Sequence, residues 1–276
     1  MSSKDRTTET VVARCERSDP DGGHLIGDAG QVITYDNDLR SRIERNLATH
    51  DRLELPLDGR RHAAVAILVV DSEHGSDRVD AHPATEDGMA KIPAADDIAH
   101  LLDGRMEGVA GGAAFVLCRR AVRLNTHSAQ WALPGGRIDA GETVIEAALR
   151  ETDEEVGVRL PESAVLGLLD DYATRSGYVM TPVVVWGGAD LVLKPSPDEV
   201  LAAYRIGLHE LCRDDSPRFV EIPESDRPVV QVPLGGDLIH APTGAVILQF
   251  RWVGLEARTG PESRVSELEQ PVFAWG

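Results

Sequence analysis

The chain has 276 residues, enough to bury a sizeable core as one large domain or as one domain with an extension. Its 46 acidic residues against 28 lysines and arginines leave a formal charge of −18, which excludes general binding to nucleic acid or to anionic membranes because a polyanion would be repelled. No leader segment opens it, its longest apolar run (Ala63 to Val70) is too short to span a bilayer, and Cys15, Cys118 and Cys212 are few, far apart and without a zinc pattern, so a soluble cytoplasmic protein with free thiols is expected.

Residues 1–36 are polar and glycine-rich, with short strand-like pieces only at Val11 to Ala13 and Val32 to Tyr35, and read as an N-terminal arm. Leu39, Ile43 and Leu47 then repeat at helical spacing behind a capping Asp36. His62 to Val70 reads as a buried strand. The acidic, weakly periodic stretch that follows reads as a loop insertion over about residues 71–112. Ala113 to Cys118 resumes strand character and ends at Arg119 and Arg120, after which a long loop runs from Ala121 to Gly136.

A helix is predicted from about Glu142 to Val156, closed by Gly157 at a C′ position. Val165 to Leu169, Val179 to Trp186 and Leu201 to Ile206 are strand candidates, with a turn at Gly187-Gly188. Leu208 to Cys212 is a short helical turn, and Val229 to Val232 with Asp237 to His240 form a hairpin around Gly235-Gly236. From Pro242, the spacing of Val246, Phe250, Val253 and Ala257 predicts a last helix, and residues 261–276 read as a tail. The main domain is thus expected over residues 37–260.

Chemistry concentrates in the helix that follows Leu133-Pro134-Gly135-Gly136. Glu151, Glu154 and Glu155 lie at i, i+3 and i+4 and share one helical face, while Ile145, Ala148, Leu149, Thr152 and Val156 form a neighbouring apolar stripe. Like charges a few ångströms apart repel by roughly 1 kcal/mol per pair in water and by several times that in a partly dry site. A cation with hard oxygen ligands, Mg²⁺ or Mn²⁺, suits them. Glu142 and Arg150, about two helical turns apart, are placed to form an ion pair at the helix start.

The spacing from Gly136 through Glu142 to Arg150-Glu151-Thr152-Asp153-Glu154-Glu155-Val156-Gly157-Val158 resembles the Nudix box, G-x5-E-x7-R-E-U-x-E-E-x-G-U, with Thr152 as the one departure. The resemblance implies an α/β/α sandwich with a mixed central sheet. It also implies an enzyme that hydrolyses a diphosphate linked to a second group, with Mg²⁺ or Mn²⁺ held by Glu151, Glu154, Glu155 and the carbonyl region of Gly136. Arg150 joins the catalytic set, and two carboxylates compete as the base, Glu151 in the box and Glu199 on a later loop.

The flanks narrow the substrate. Val116 to Gly136 aligns without a gap to the motif of coenzyme A pyrophosphatases, approximately L-L-T-x-R-S-x-x-L-R-x-x-x-G-x-V-x-F-P-G-G. Leu117, Arg120, Leu124, Pro134, Gly135 and Gly136 match, whereas Val116, Cys118, Ala121, Asn125, Ala129, Trp131 and Leu133 depart. Ser176-Gly177-Tyr178-Val179-Met180-Thr181-Pro182-Val183-Val184 is similar to a second motif of that subfamily, and Asp198-Glu199-Val200 to a third. For such a substrate the resemblance implies cleavage to 4′-phosphopantetheine and adenosine 3′,5′-bisphosphate.

Arg120, Arg123 and His127 form a basic cluster in an acidic chain, and with Gly135 and Gly136 they are the substrate-binding candidates. Trp131, Tyr172 and Tyr178 read as packing residues and Cys118 as a core thiol. ADP-ribose, NADH or a nucleotide sugar is the alternative substrate class, and a non-catalytic Nudix domain that senses a nucleotide-like ligand is the alternative of another kind. The expected partner is a small nucleoside diphosphate derivative, with no nucleic acid and no membrane, and a homodimer is compatible with the sequence.

Overall fold

The computed structural model describes residues 10–12, 31–73, 102–106, 109–121 and 130–272. Its strands are β1 (Thr10–Val12), β2 (Arg61–Ser72), β3 (Gly112–Arg120), β4 (Trp131–Ala132), β5 (Gly135–Arg137), β6 (Val165–Leu168), β7 (Tyr172–Ala173), β8 (Tyr178–Trp186), β9 (Val200–Gly207), β10 (Arg218–Ile222), β11 (Ser225–Leu234) and β12 (Asp237–His240). The α-helices are α1 (Asn37–Thr49), α2 (Val144–Val156), α3 (Leu208–Leu211) and α4 (Thr243–Gln249), the last running into a π-helical turn at Phe250–Leu255.

Strands β2 to β9 form one sheet with the path β4-β3-β2-β8-β6, to which β5 adds on β2, β7 on β8 and β9 on β3. It is mixed, because β2 and β8 run parallel while the other pairings are antiparallel. The central strands are apolar on both faces, as a sheet covered on both sides requires. In β2, Val65, Ile67 and Val69 enter one core together with Phe115 and Leu117 of β3, and α1, α4 and the π-helical turn cover that side through Leu39, Ile43, Leu47, Val246 and Phe250. Ala64, Ala66, Leu68 and Val70 enter the opposite core, capped by Ala147, Ala148 and Val156 of α2. The α/β/α sandwich expected from the sequence is therefore present.

A feature that the sequence does not announce is a second sheet, of order β1-β10-β11-β12. Val230, Val232, Leu234 and Ile239 of this sheet join the core on the α1 side. The hairpin around Gly235-Gly236 is confirmed as β11 and β12, but β10 was not anticipated.

Other boundaries shift as well. Val32 to Tyr35 is not a strand: the segment crosses the sheet end, where the Ala113 amide donates to the Ile33 carbonyl at 2.7 Å and Tyr35 stacks on Trp186 with ring centroids 4.2 Å apart. The long loop to Gly136 contains β4 and β5, because Trp131–Ala132 can pair with β3 and Gly135–Arg137 with β2. The end of the segment read as an insertion is core, with Met106, Val109 and Ala110 buried. Most of the remainder of that segment lies outside the described residues, as do Cys15, Arg123 and His127. The last helix stops before Ala257, which has φ +55°.

Nor is the segment after Gly260 a free tail. Val265 and Leu268 are buried, and the buried Glu269 accepts from Arg227 at 2.6 Å, Ser225 Oγ at 3.0 Å and the Arg175 guanidinium. Arginines distant in sequence made this invisible to a reading by local pattern. Asp170 forms a similar hub, accepting from His50 Nε2, the Leu53 amide, Gln249 Nε2 and Arg264 at 2.7 to 2.9 Å.

Candidate active site

Helix α2 starts with a reciprocal cap: the Glu146 amide donates to Thr143 Oγ1 at 3.2 Å, and the Thr143 amide to Glu146 Oε2 at 2.8 Å. Its start is therefore Val144, two residues later than expected, and Glu142 stays outside the helix. Gly157, with φ +70°, ends it in the left-handed conformation anticipated for a C′ glycine.

Arg150 organises the face that leaves the core. Its Nε and Nη2 grip the two carboxylate oxygens of Glu142 at 2.8 and 3.0 Å, the ion pair foreseen from the eight-residue spacing. Nη2 also donates to the Arg137 carbonyl at 3.0 Å, and Nη1 reaches Glu151 Oε1 at 2.8 Å and Glu154 Oε2 at 2.9 Å. A planar five-donor guanidinium is suited to this. Hydrogen bonding from Arg150 holds Glu142 below the usual carboxylate range.

Glu151 and Glu155 face the glycine turn. The Gly135 amide donates to Glu155 Oε2 at 3.1 Å, and a Cβ at Gly136 would collide with the Glu151 carboxylate, so glycine there lets backbone and carboxylate meet. Burial pushes the Glu155 carboxyl up to about 7, against the Gly135 hydrogen bond and the Arg120 charge, with Glu151 and Glu199 adding repulsion. Burial likewise raises Glu151, opposed by Arg150 and reinforced by Glu154 and Glu199. Glu155 is thus buried, although the helical pattern set it on a face beside the apolar stripe rather than within it.

The other candidates come in through the sheet. In β3, Cys118 and Arg120 point toward α2, and the Arg120 charge acts on Glu155. A register shift between Arg119 and Arg120 lets Arg120 pair with Val200, and the Ala121 amide donates to the Glu199 carbonyl at 2.9 Å. The segment before Glu199 is tied to the end of α2 by amides of Lys194 and Ser196 donating to the Val156 and Glu155 carbonyls, both at 2.8 Å. The fold therefore gathers Arg120, Gly135, Gly136, Glu151, Glu155 and the exposed Glu199 in one place. Glu154 is exposed and turned to Arg150. Among the described residues, no group of three acidic, histidine or cysteine side chains is already arranged to hold a metal ion.

Thr152, the departure from the box, is fully buried, and its Oγ1 donates to the Ala148 carbonyl at 2.7 Å. Back-bonding to the preceding turn hides the hydroxyl, so the apolar stripe stays continuous. Thr152→Val should therefore leave turnover unchanged and shift stability by no more than about 1 kcal/mol. A melting curve with parallel kinetics checks this, and a large activity loss would show that the hydroxyl has another task.

Trp131 is a packing residue, as expected: its Nε1 donates to Asp237 Oδ2 at 2.7 Å and its ring meets Tyr204 edge-on at 5.3 Å. Tyr172 is buried, donating to the Leu268 carbonyl, and Cys118 is a buried thiol that burial pushes up. Tyr178 lies under the Arg61 guanidinium, 4.1 Å from its ring centroid. The sequence reading missed Arg119, which is buried opposite Arg120 against Asp237 and Trp131. Strand alternation was the available signal, since Arg119 shares a face with Leu117.

Residues 97–222 match the family model described as NUDIX domain. Over 94 residues the chain is 40% identical to a protein named Uncharacterized Nudix hydrolase NudL from Escherichia coli O6:H1, covering 34% of this chain and 49% of that one. It is 36% identical over 109 residues to Nudix hydrolase 3 of Caenorhabditis elegans, covering 38% and 45%. The chain spans about half the length of these curated relatives. Among solved structures, a MutT/nudix family protein from Enterococcus faecalis superposes with a TM-score of 0.43 at 15% identity, covering 78% of this chain and 73% of that one. No helix among the described residues is long and apolar enough to cross a membrane. The matched residues include the glycine turn, the arginine and the carboxylate helix described above, so this stretch of the chain is similar to a Nudix domain.

Proposed function

We propose that the protein hydrolyses the diphosphate bond of a nucleoside diphosphate derivative. The observation that carries the reading is the placement of Glu151 and Glu155 against Gly135 and Gly136, with Arg150 spanning Glu142, Glu151 and Glu154.

The donor set fits a divalent cation. Burial raises both Glu151 and Glu155, so their ionised forms lack full compensation, and oxygen donors suit Mg²⁺ or Mn²⁺. Glu151, Glu154, Glu155 and the Gly136 carbonyl would hold it, Glu154 giving up its Arg150 contact. When bound, the ion supplies positive charge to the diphosphate and acidifies a water.

The chain's own groups do the rest. Arg150 fixes the direction of Glu151 while its grip on Glu142 fixes Arg150. Glu151 or Glu199 takes the proton from the attacking water, whose oxygen forms a new bond to one phosphorus as the bridging oxygen departs with the other. Arg120 is placed to pair with a phosphate by its two-pronged donor set. Glu151→Gln should lower kcat more than Glu199→Gln, because Glu151 also belongs to the carboxylate group at the glycine turn. Steady-state kinetics with a metal titration checks this, and a larger loss at Glu199 with metal affinity intact would move the base to that loop.

For the substrate we propose coenzyme A or an acyl derivative, giving 4′-phosphopantetheine and adenosine 3′,5′-bisphosphate. The match of Arg120, Leu124 and the segment from Ser176 to Val184 to the subfamily motifs supports this. Asn125 and Ala129, which depart from the motif, favour the second reading, a pyrophosphatase for ADP-ribose, NADH or a nucleotide sugar. A panel of these substrates with Mg²⁺ or Mn²⁺, with products identified by mass spectrometry, separates the two, and ligand binding with no turnover on any of them would favour a sensing domain. If Arg120 reads the 3′-phosphate, Arg120→Ala should raise KM for coenzyme A by roughly one to two decades more than for dephospho-coenzyme A. Equal losses on both would remove that role.

We further propose that the domain extends over residues 37–260 with its insertion at about 71–112, and that the protein acts in a reducing cytoplasm, in keeping with Cys118 and Cys212 being buried thiols. A homodimer is to be tested by sedimentation.

A further inference from the structure

Arg119 and Arg120 are neighbours in β3 but serve opposite faces of the sheet. Arg119 is only 3% exposed, its guanidinium lies 3.8 Å from the centroid of the Trp131 ring, and its Nη2 donates to Asp237 Oδ2 at 3.3 Å and to the Gly104 carbonyl at 3.4 Å. Asp237 Oδ2 also accepts from Trp131 Nε1 at 2.7 Å, and the Trp131 carbonyl accepts from Thr243 Oγ1 at 3.1 Å. Trp131 is therefore fixed by its ring face, its ring N–H and its backbone.

From Trp131 the chain reaches the glycine turn in a few residues. β4 pairs with β3, the Ala66 amide donates to the Pro134 carbonyl at 2.8 Å, and the next amide, that of Gly135, donates to Glu155. Paired backbone of this kind passes a displacement on rather than absorbing it. On the other side, Asp237 follows a turn stitched to residues 102–106: the Gly104 amide donates to the Gly236 carbonyl and the Gly236 amide to the Arg105 carbonyl, both at 2.8 Å. A buried ion pair adds little net stability, because the charges lose their hydration, so its value lies in the geometry it imposes.

We propose that Arg119 and Asp237 are positioning residues which, through Trp131, set the Gly135–Gly136 segment against the Glu151 and Glu155 carboxylates and so join the site to the second sheet. Its kinetic consequence rests on the reading of that site as a diphosphate hydrolase; the mechanical link does not. A displacement of about 1 Å in a reacting assembly lowers turnover by as much as 10²-fold.

Trp131→Phe keeps an aromatic face but removes the N–H together with the five-membered ring, Asp237→Asn keeps the shape but removes the charge, and Ile43→Val in the core under α1 serves as a control for lost stability alone. Amide hydrogen exchange at Gly135, read by NMR against the Ile43 amide, reports the link without any substrate. Expected for Trp131→Phe is exchange at Gly135 about tenfold or more faster with Ile43 unchanged, and a fall in kcat on the order of tenfold with KM nearly constant. Asp237→Asn should do at least as much, and the double variant no more than Asp237→Asn alone, as coupled residues behave. Unchanged Gly135 exchange in Trp131→Phe, or the same changes in Ile43→Val, would overturn the proposal. If the parent protein cleaves no diphosphate, the hydrolase reading fails, and the exchange measurement alone decides the positioning link.

Discussion

Glu155→Gln is expected to lower kcat/KM by about 10² or more while making the metal-free protein harder to unfold at pH 8. The amide can still accept from Gly135, so the loop contact survives, but the buried charge is gone. The sign follows from burial: a carboxyl raised to about 7 when folded, against an ordinary value near 4.5, binds its proton more tightly in the folded state. Stability attributable to it is present at acid pH and is lost as pH rises through that interval, by on the order of 3 kcal/mol. The variant should thus match its parent near pH 4 and exceed it at pH 8 in a chelator, and added Mg²⁺ should narrow the difference by stabilising only the parent. Thermal unfolding at the two pH values, with and without the ion, measures this. A parent protein at least as stable as the variant in chelator at pH 8 would contradict the account.

The second large effect concerns the hub at which Asp170 ties the segment after α1 to α4 and to Arg264. Asp170→Ala should cost roughly 3–5 kcal/mol, because it strands Arg264, Gln249 Nε2 and the Leu53 amide in a buried place. Burial by itself would raise the Asp170 carboxyl, but hydrogen bonds from His50, the Leu53 amide, Arg264 and Gln249 more than offset it and hold the group at about 2. For Glu269, burial is likewise outweighed, by Arg175, the Gln270 amide, Arg227 and Ser225, and the group also sits at about 2. Both folded values lie below the ordinary carboxylate range. Their stabilisation is therefore complete above about pH 4.5 and drains away as pH falls toward 2. Urea unfolding of the parent, Asp170→Asn and the Asp170→Asn/Glu269→Gln double variant at pH 7 and pH 3 tests this. The parent should lose most between the two pH values and the double variant least; parallel losses in all three would remove these two groups from the acid limb.

What the sequence disclosed follows the range of the forces concerned. Helix α1 was legible because Leu39, Ile43, Leu47 and the Asp36 cap are local signals, and α2 because its box fixes residues over two dozen positions. The central strands were legible because a sheet covered on both faces must be continuously apolar. Strands β4 and β5 escaped notice since two or three residues carry no period, and they exist only because β3 and β2 offer them partners. β10 was missed although it turns directly into β11, with Ile222 opposite Ser225, because its other edge is completed only by the distant β1; the segment after Gly260 was missed because its order comes from partners far back in the chain, such as Val229 for Glu269. At the site, the Glu142–Arg150 ion pair foreseen from the spacing is present, and Glu151 lies against Gly136. The box gave no hint that Glu155 would be buried while Glu154 stays exposed, a difference set by how α2 rolls on the sheet.

That roll has its own determinant. Where α2 meets the sheet, several of the packed side chains are single methyl groups: Ala147 and Ala148 of the helix share a core with Ala64 and Ala66 of β2, beside the bulkier Leu68, Val70 and Val183. Side chains this short let the helix axis settle low over the strands, and the height of the carboxylates above the glycine turn is inherited from that closeness. The spacing of these carboxylates from the glycine turn is thus held by missing bulk. A single added branch, such as Ala148→Val, would act as a shim, lifting Glu151 and Glu155 together away from Gly135 and Gly136 without touching any of them.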